Sequence, residues 1–136
     1  MRIIMFYAPS FWFKTYKKVL PEVPDNDVEK ITESAVVVFY QVEAEDVDKK
    51  GGVITKLVKN VKWLAGKFMT KGVVLHSFSH LSLSKAPPGL TEEIITEARD
   101  RLAGTGFSVI ETPFGYLNEW KMHVAGESLA KVYKEF

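Results

Sequence analysis

Apolar residues along this chain alternate between short β-branched runs and longer stretches of helical period. From Val53 to Thr70 they stand at 53, 54, 57, 58, 61, 64, 65 and 68, the i, i+3, i+4, i+7 repeat of an amphipathic helix held for about five turns. A second helix is predicted after the stiff Ala86-Pro-Pro-Gly89 connector. Thr91 is its N-cap, Glu92 and Glu93 suit its first turn, Ile94, Ile95, Ala98 and Leu102 form its buried stripe, and Gly104 or Gly106 stops it. A third, short helix is predicted over Glu127 to Phe136, where Leu129, Val132 and Tyr133 share a side.

The remaining runs read as strands. Arg2 to Ala8 is β-branched and aromatic and ends at Pro9, and the aromatic-rich segment holding Phe11, Trp12, Phe13 and Tyr16 reads as a connection leading into the loop at Pro21, Pro24 and Asp25. Ser34 to Glu43 is too short and too β-branched for a helix. Its apolar content predicts a central strand covered on both faces, closed by a turn from Asp46 to Gly52. Gly72 to Ser79 is the next strand, and Phe107 to Glu111 and Leu117 to Ala125 flank a Pro113-Phe-Gly-Tyr116 turn. The order β, β, α, β, α, β, β, α describes an α/β fold: a single compact domain with a mixed β-sheet and packed helices.

At 136 residues and 46% hydrophobic, the chain has material for one core, so residues 1–136 are expected to form one domain. It lacks a run of eighteen apolar residues and a signal-peptide pattern at its start, which predicts a soluble, cytoplasmic protein without membrane contact. Zero cysteines exclude disulfides and thiolate zinc sites, and with only His76, His80 and His123 as imidazoles no metal is expected.

The net charge of +1 conceals an uneven distribution. Pro21 to Asp48 holds nine acidic residues against Lys30, whereas Lys49 to Lys71 holds seven lysines and no acid. Lys56, Lys59, Lys62 and Lys67 occupy the polar side of the first helix. Such a face is usually solvated, but without compensating acids it can attract a phosphate backbone in a salt-sensitive way.

Candidate chemistry gathers at two places. His80 lies at a strand end between Ser79 and Ser82, where ligands commonly bind and where an imidazole can orient a hydroxyl or ester or move a proton; it can equally hydrogen-bond a nearby carbonyl. His76, earlier on the same strand, reads as structural. The serines lack a GxSxG elbow, and Gly51-Gly52 lacks phosphate-loop spacing. The Pro113-Phe-Gly-Tyr116 segment combines a rigid proline, aromatic surface and a glycine that lets backbone approach a ligand. Asn118 follows it in an alternating strand, where it can hold a water or carbonyl.

These residues carry a resemblance. Ser77-Phe-Ser-His-Leu-Ser82 with Ser84-Lys-Ala-Pro87 resembles the PFAHLSS…AKP stretch of the N-terminal editing domain of archaeal threonyl-tRNA synthetases, and Thr112-Pro-Phe-Gly-Tyr-Leu-Asn-Glu-Trp-Lys121 resembles that family's APFGYYKAFK. Met1-Arg-Ile-Ile, Val36 to Glu43 and Gly126 to Lys131 extend the similarity over nearly the whole chain. The resemblance implies a D-aminoacyl-tRNA deacylase-like fold, a homodimer, the acceptor end of tRNA(Thr) as partner, an aminoacylation domain on the same or a companion chain, and no cofactor. It also implies hydrolysis of L-serine wrongly esterified to tRNA(Thr), sparing L-threonine. A single methyl discriminates by only about 1–3 kcal/mol, so a second, hydrolytic sieve is needed.

Residue by residue, the resemblance places His80 and Asn118 in catalytic positions. It puts Val42, Glu43, Ser79, Leu81, Phe114, Gly115, Tyr116 and Leu117 around the aminoacyl adenosine, and Lys56, Lys59 and Lys62 are the candidates for tRNA contact. The family's tyrosine-lysine pair after Phe-Gly-Tyr is Leu117-Asn118 here, and its downstream glutamate is Lys131. Either editing has been lost, or backbone groups position the water with help from the 2′-hydroxyl of the terminal adenosine. A non-catalytic tRNA-binding or dimerisation domain and a D-aminoacyl-tRNA deacylase are the alternatives.

Overall fold

In the computed structural model, which covers residues 1–136, one six-stranded mixed sheet runs in the order β4-β3-β2-β1-β5, with β6 also paired to β1. The strands are β1 (Arg2–Lys18), β2 (Glu29–Gln41), β3 (Gly72–Ser77), β4 (Ser108–Glu111), β5 (Tyr116–His123) and β6 (Lys131–Glu135). β2, β3 and β4 are parallel, joined by helices α1 (Lys50–Lys67) and α2 (Pro88–Ala103), while β1 is antiparallel to β2, β5 and β6. Both helices pack on one face. Val53, Ile54, Leu57, Val61 and Leu64 of α1 and Ile94, Ala98 and Leu102 of α2 meet Ile3, Met5, Val36, Val38, Val73 and Leu75 there.

The alternate residues of β2, Ala35, Val37 and Phe39, face a second cluster with Ala8, Phe11, Phe13 and Val74, so the central strand is covered on both sides as its sequence predicts.

Several expectations are corrected, among them the turn from Asp46 to Gly52, which is a 3-10 helix over Ala44–Lys49 running into the start of α1 at Lys50. The aromatic segment after Pro9 is strand, not connection: β1 continues to Lys18. Pro9 is tolerated because it lies where β1 changes partner, from β6 over Arg2–Phe6 to β5 over Ser10–Lys18, so no ladder bond needs its missing N–H. The inward residues also change parity there, from Ile4, Phe6 and Ala8 to Phe11 and Phe13. Opposite Pro9 in the register, Ser34 has φ of 51°, and its hydroxyl contacts Tyr7 Oη (3.1 Å) and donates to Thr70 Oγ1 (3.2 Å), whose own hydroxyl donates to the Ser34 carbonyl. Gly72 abuts this bend, since a Cβ added to it would sit 2.6 Å from the Ser34 carbonyl oxygen.

Another correction concerns the C-terminus. It is β6 after one short 3-10 turn at Ser128–Ala130, because pairing with β1 satisfies backbone groups that a helix of ten residues would leave largely unpaired. In addition, α2 starts at Pro88 with Pro87 as N-cap. Proline suits the first turn, where no N–H is required, and Thr91 is buried inside the helix with its N–H on the Pro87 carbonyl (3.1 Å). α1 likewise ends before Thr70: Met69 adopts φ of 50° and the Thr70 N–H reaches back to the Ala65 carbonyl (3.0 Å).

Candidate functional site

The carboxyl ends of β2 and β3, the start of α2 and the turn before β5 enclose a cleft of about 490 Å3. Eight of the ten expected site residues line it: Val42, Ser79, His80, Phe114, Gly115, Tyr116, Leu117 and Asn118. Glu43 and Leu81 do not line it. The Glu43 carboxylate accepts from the Ser82 hydroxyl (2.6 Å) and pairs with the Met1 ammonium (3.1 Å) and with Arg2 Nε (3.4 Å). Burial alone would raise its pKa, but the hydroxyl and the two cations hold it below the ordinary carboxylate range.

Gly115 has φ of 81°, which L side chains rarely adopt, and a Cβ there would meet Val23 Cγ1 at 2.9 Å. Its carbonyl accepts from the N–H groups of Val19 (2.8 Å) and Leu20 (3.2 Å), and Tyr116 Oη accepts from the Asn26 N–H (2.7 Å) and donates to the Pro24 carbonyl (3.0 Å). The Pro-Phe-Gly-Tyr turn therefore fastens the β1–β2 connector over the cleft, and Val19 and Leu20 become part of its wall.

His76 is buried beneath the cleft, with Nδ1 3.0 Å from Thr112 Oγ1 and its ring against Phe39 (centroids 4.7 Å apart), which in turn packs edge-on against Trp120 (5.1 Å). Desolvation lowers its pKa to about 4, so it is neutral at physiological pH and fits the structural reading. His80 is exposed and packs edge-on against Phe78, with ring centroids 5.0 Å apart. Although His76 and His80 are four residues apart, no three His, Asp or Glu side chains converge as a metal site.

Asn118 is the chemically open side chain. Its Oδ1 is buried without a partner, and its Nδ2 makes only a long bond to the Tyr116 carbonyl (3.4 Å). Such an orphaned acceptor costs roughly 1–3 kcal/mol unless a ligand or water satisfies it. Lys85 is the one permanent charge among the lining residues. Sequence reasoning missed Gln41 and Trp120, which also line the cleft. Trp120 carried a signal, since it stands two residues after Asn118 on the same strand face.

The candidate tRNA lysines stand apart from the cleft on α1. Lys56 and Lys59 are exposed, and Lys62 is half-buried beside a shallow depression shared with Lys71.

The model of the archaea-specific editing domain of threonyl-tRNA synthetase matches residues 1–136. The chain belongs to this family. Among similar proteins, the threonine–tRNA ligase of Hyperthermus butylicus is 31% identical over 142 residues, covering 100% of this chain and 23% of that protein. The ligase of Methanoregula boonei is 29% identical, covering 98% and 22%. The editing domain thus spans less than a quarter of the length of these relatives. A solved structure of the c-Myc DNA Unwinding Element Binding Protein superposes with a TM-score of 0.68 over 100% of this chain and 99% of that one, at 12% identity, a likeness of fold alone. The fold is D-aminoacyl-tRNA deacylase-like, as the resemblance implied. Membership in the editing family implies proofreading. No helix is long and apolar enough to cross a membrane.

Proposed function

We propose that this domain hydrolyses L-seryl-tRNA(Thr) and spares L-threonyl-tRNA(Thr), as the N-terminal part of a longer, homodimeric cytoplasmic synthetase or beside an aminoacylation partner, and without a cofactor. The observation that carries this reading is the unpaired, buried Oδ1 of Asn118, at the position of the family's lysine, within a cleft also lined by His80 and the Phe114-Gly-Tyr116 turn, which resemble the family's motifs.

The terminal adenosine and its aminoacyl group enter between the Phe78–His80 segment and the aromatic turn of Phe114 and Tyr116, with Lys85 facing the phosphate that joins this adenosine to the preceding nucleotide. Asn118 Oδ1 accepts a hydrogen bond from the hydrolytic water. The N–H groups of Ser79 and His80, which have no partner in the protein, face the ester carbonyl. Water adds to the carbonyl carbon, the bond to the ribose 3′-oxygen breaks, and the proton that water loses passes through the vicinal 2′-hydroxyl to the departing 3′-oxygen. The products are L-serine and tRNA with a free 3′-hydroxyl. Preorganised backbone donors and the substrate's own hydroxyl supply most of the acceleration, so no side-chain base is required.

The test is single-turnover deacylation of L-seryl- and L-threonyl-tRNA(Thr). Selective loss of serine supports the reading, and His80→Ala and Asn118→Ala should each slow it by only about three- to tenfold, the worth of one neutral hydrogen bond. Substrate ending in 2′-deoxyadenosine should be nearly inert, and its normal turnover refutes the 2′-hydroxyl route. Salt-sensitive tRNA binding without hydrolysis would make this a binding module, and preference for D-aminoacyl esters a D-aminoacyl-tRNA deacylase.

A further inference from the structure

Gln41, the last residue of β2, is 4% exposed and uses its whole amide on one loop. Oε1 accepts from the N–H groups of Leu81 (2.8 Å) and Ser82 (2.8 Å), while Nε2 donates to the carbonyls of Ser82 (2.8 Å) and Ser84 (2.9 Å). A primary amide offers two acceptor and two donor sites, so all are filled. On either side, the Phe78 N–H donates to the Tyr40 carbonyl (2.9 Å) and the Ala86 N–H to the Val42 carbonyl (3.0 Å). The loop from Phe78 to Ala86 is thereby strapped along the end of β2; the N–H groups of Ser79, His80, Leu83 and Lys85 are left unpaired in it, and those of Ser79 and His80 stand together between the Phe78 and Leu81 fastenings, both on the cleft.

We infer that Gln41 is a positioning residue for the reaction proposed above: by pinning Leu81 and Ser82 it fixes the aim of the Ser79 and His80 N–H groups at the ester carbonyl. The inference rests on that deacylase reading. A glutamine does this where a hydroxyl or carboxylate would not, because the strap needs donors and acceptors from one rigid plane. Small displacements of preorganised donors have large kinetic effects, on the order of 100-fold for about 1 Å.

Two variants of the domain test it. Gln41→Met keeps the volume and removes every bond. Gln41→Glu keeps the acceptors but turns a carboxylate toward two carbonyls. With Gln41→Met, the limiting single-turnover rate should fall about 30- to 100-fold, with half-saturation little changed, while amide exchange accelerates at Leu81 and Ser82 but not through β1–β3. Gln41→Glu should be slow at pH 7.5 and regain rate, relative to the parent, towards pH 5, where a protonated carboxyl again donates.

Parental rates in either variant, or exchange that accelerates evenly across the sheet, overturn the inference. If the parent hydrolyses no ester, the deacylase reading fails first. Gln41 is then judged by adding 3′-(L-serylamino)-3′-deoxyadenosine: amide shifts at Ser79 and His80 in the parent that vanish in Gln41→Met uphold it, and equal or absent shifts overturn it.

Discussion

Gly115→Ala separates backbone conformation from crowding at the cleft wall. A non-glycine residue at φ of 81° costs roughly 1–2 kcal/mol. The new methyl would also stand 2.9 Å and 3.0 Å from the two Val23 methyls and 3.2 Å from Leu20 Cβ, and overpacking of this kind costs about 1–3 kcal/mol. Reduced freedom of the unfolded chain returns about 0.4–1 kcal/mol, leaving a net loss of roughly 2–4 kcal/mol. For a domain of this length that lowers Tm by roughly 6–16 °C. Val23→Ala removes the nearest obstruction at a half-buried position but leaves φ unchanged, so in its background the same substitution should cost about 1–2 kcal/mol less. Urea unfolding of the four proteins in this cycle measures both parts. A Gly115→Ala protein within 0.5 kcal/mol of the parent, by the scale of ordinary surface substitutions, or a cycle with zero coupling, would refute the reasoning.

Two further outcomes follow from groups already placed. His76 has a folded pKa of about 4 against an ordinary 6.5, so the unfolded chain takes up its proton first as pH falls; the stability from the neutral ring is complete above pH 6.5 and lost between there and 4, about 3 kcal/mol in all. Urea melts from pH 7.5 to 4 should therefore show a steeper decline in the parent than in His76→Gln, and parallel declines would remove His76 as a cause. Replacing Lys56, Lys59 and Lys62 together by Glu should weaken tRNA binding and flatten the slope of log K against log[salt] by about 2–3 if each meets a phosphate, as read from filter binding at several KCl concentrations; an unchanged slope would return these lysines to a solvated face.

Much of the fold was legible because the deciding signals are local. The α1 repeat from Val53 to Ala65 and the uninterrupted apolar run of β2 need only periodicity and length to be read. Pro9 misled because the cost of a proline depends on whether its neighbour needs the missing N–H, and here β1 changes partner at that point. Leu129, Val132 and Tyr133 have helical spacing but lie beside β1, whose unpaired edge decides the matter. At the cleft, His80, Asn118 and the Pro-Phe-Gly-Tyr turn were readable as residue types in context. Gln41 was not, since its four bonds reach a loop some forty residues on and nothing in its immediate neighbours announces them.

The bend at Pro9 and Ser34 also acts as a key for strand alignment. A pairing of β1 with β2 slipped by one residue would move Pro9 from Ser34 to Glu33 or Ala35 and separate it from the position that carries positive φ. It would also turn Ile4 and Phe6 out of step with Val37 and Phe39, since a one-residue slip exchanges the two faces of a strand. The longest antiparallel pairing in the molecule thus has one alignment in which the bend and both apolar faces agree, and misregistered forms are disfavoured from the moment the hairpin closes.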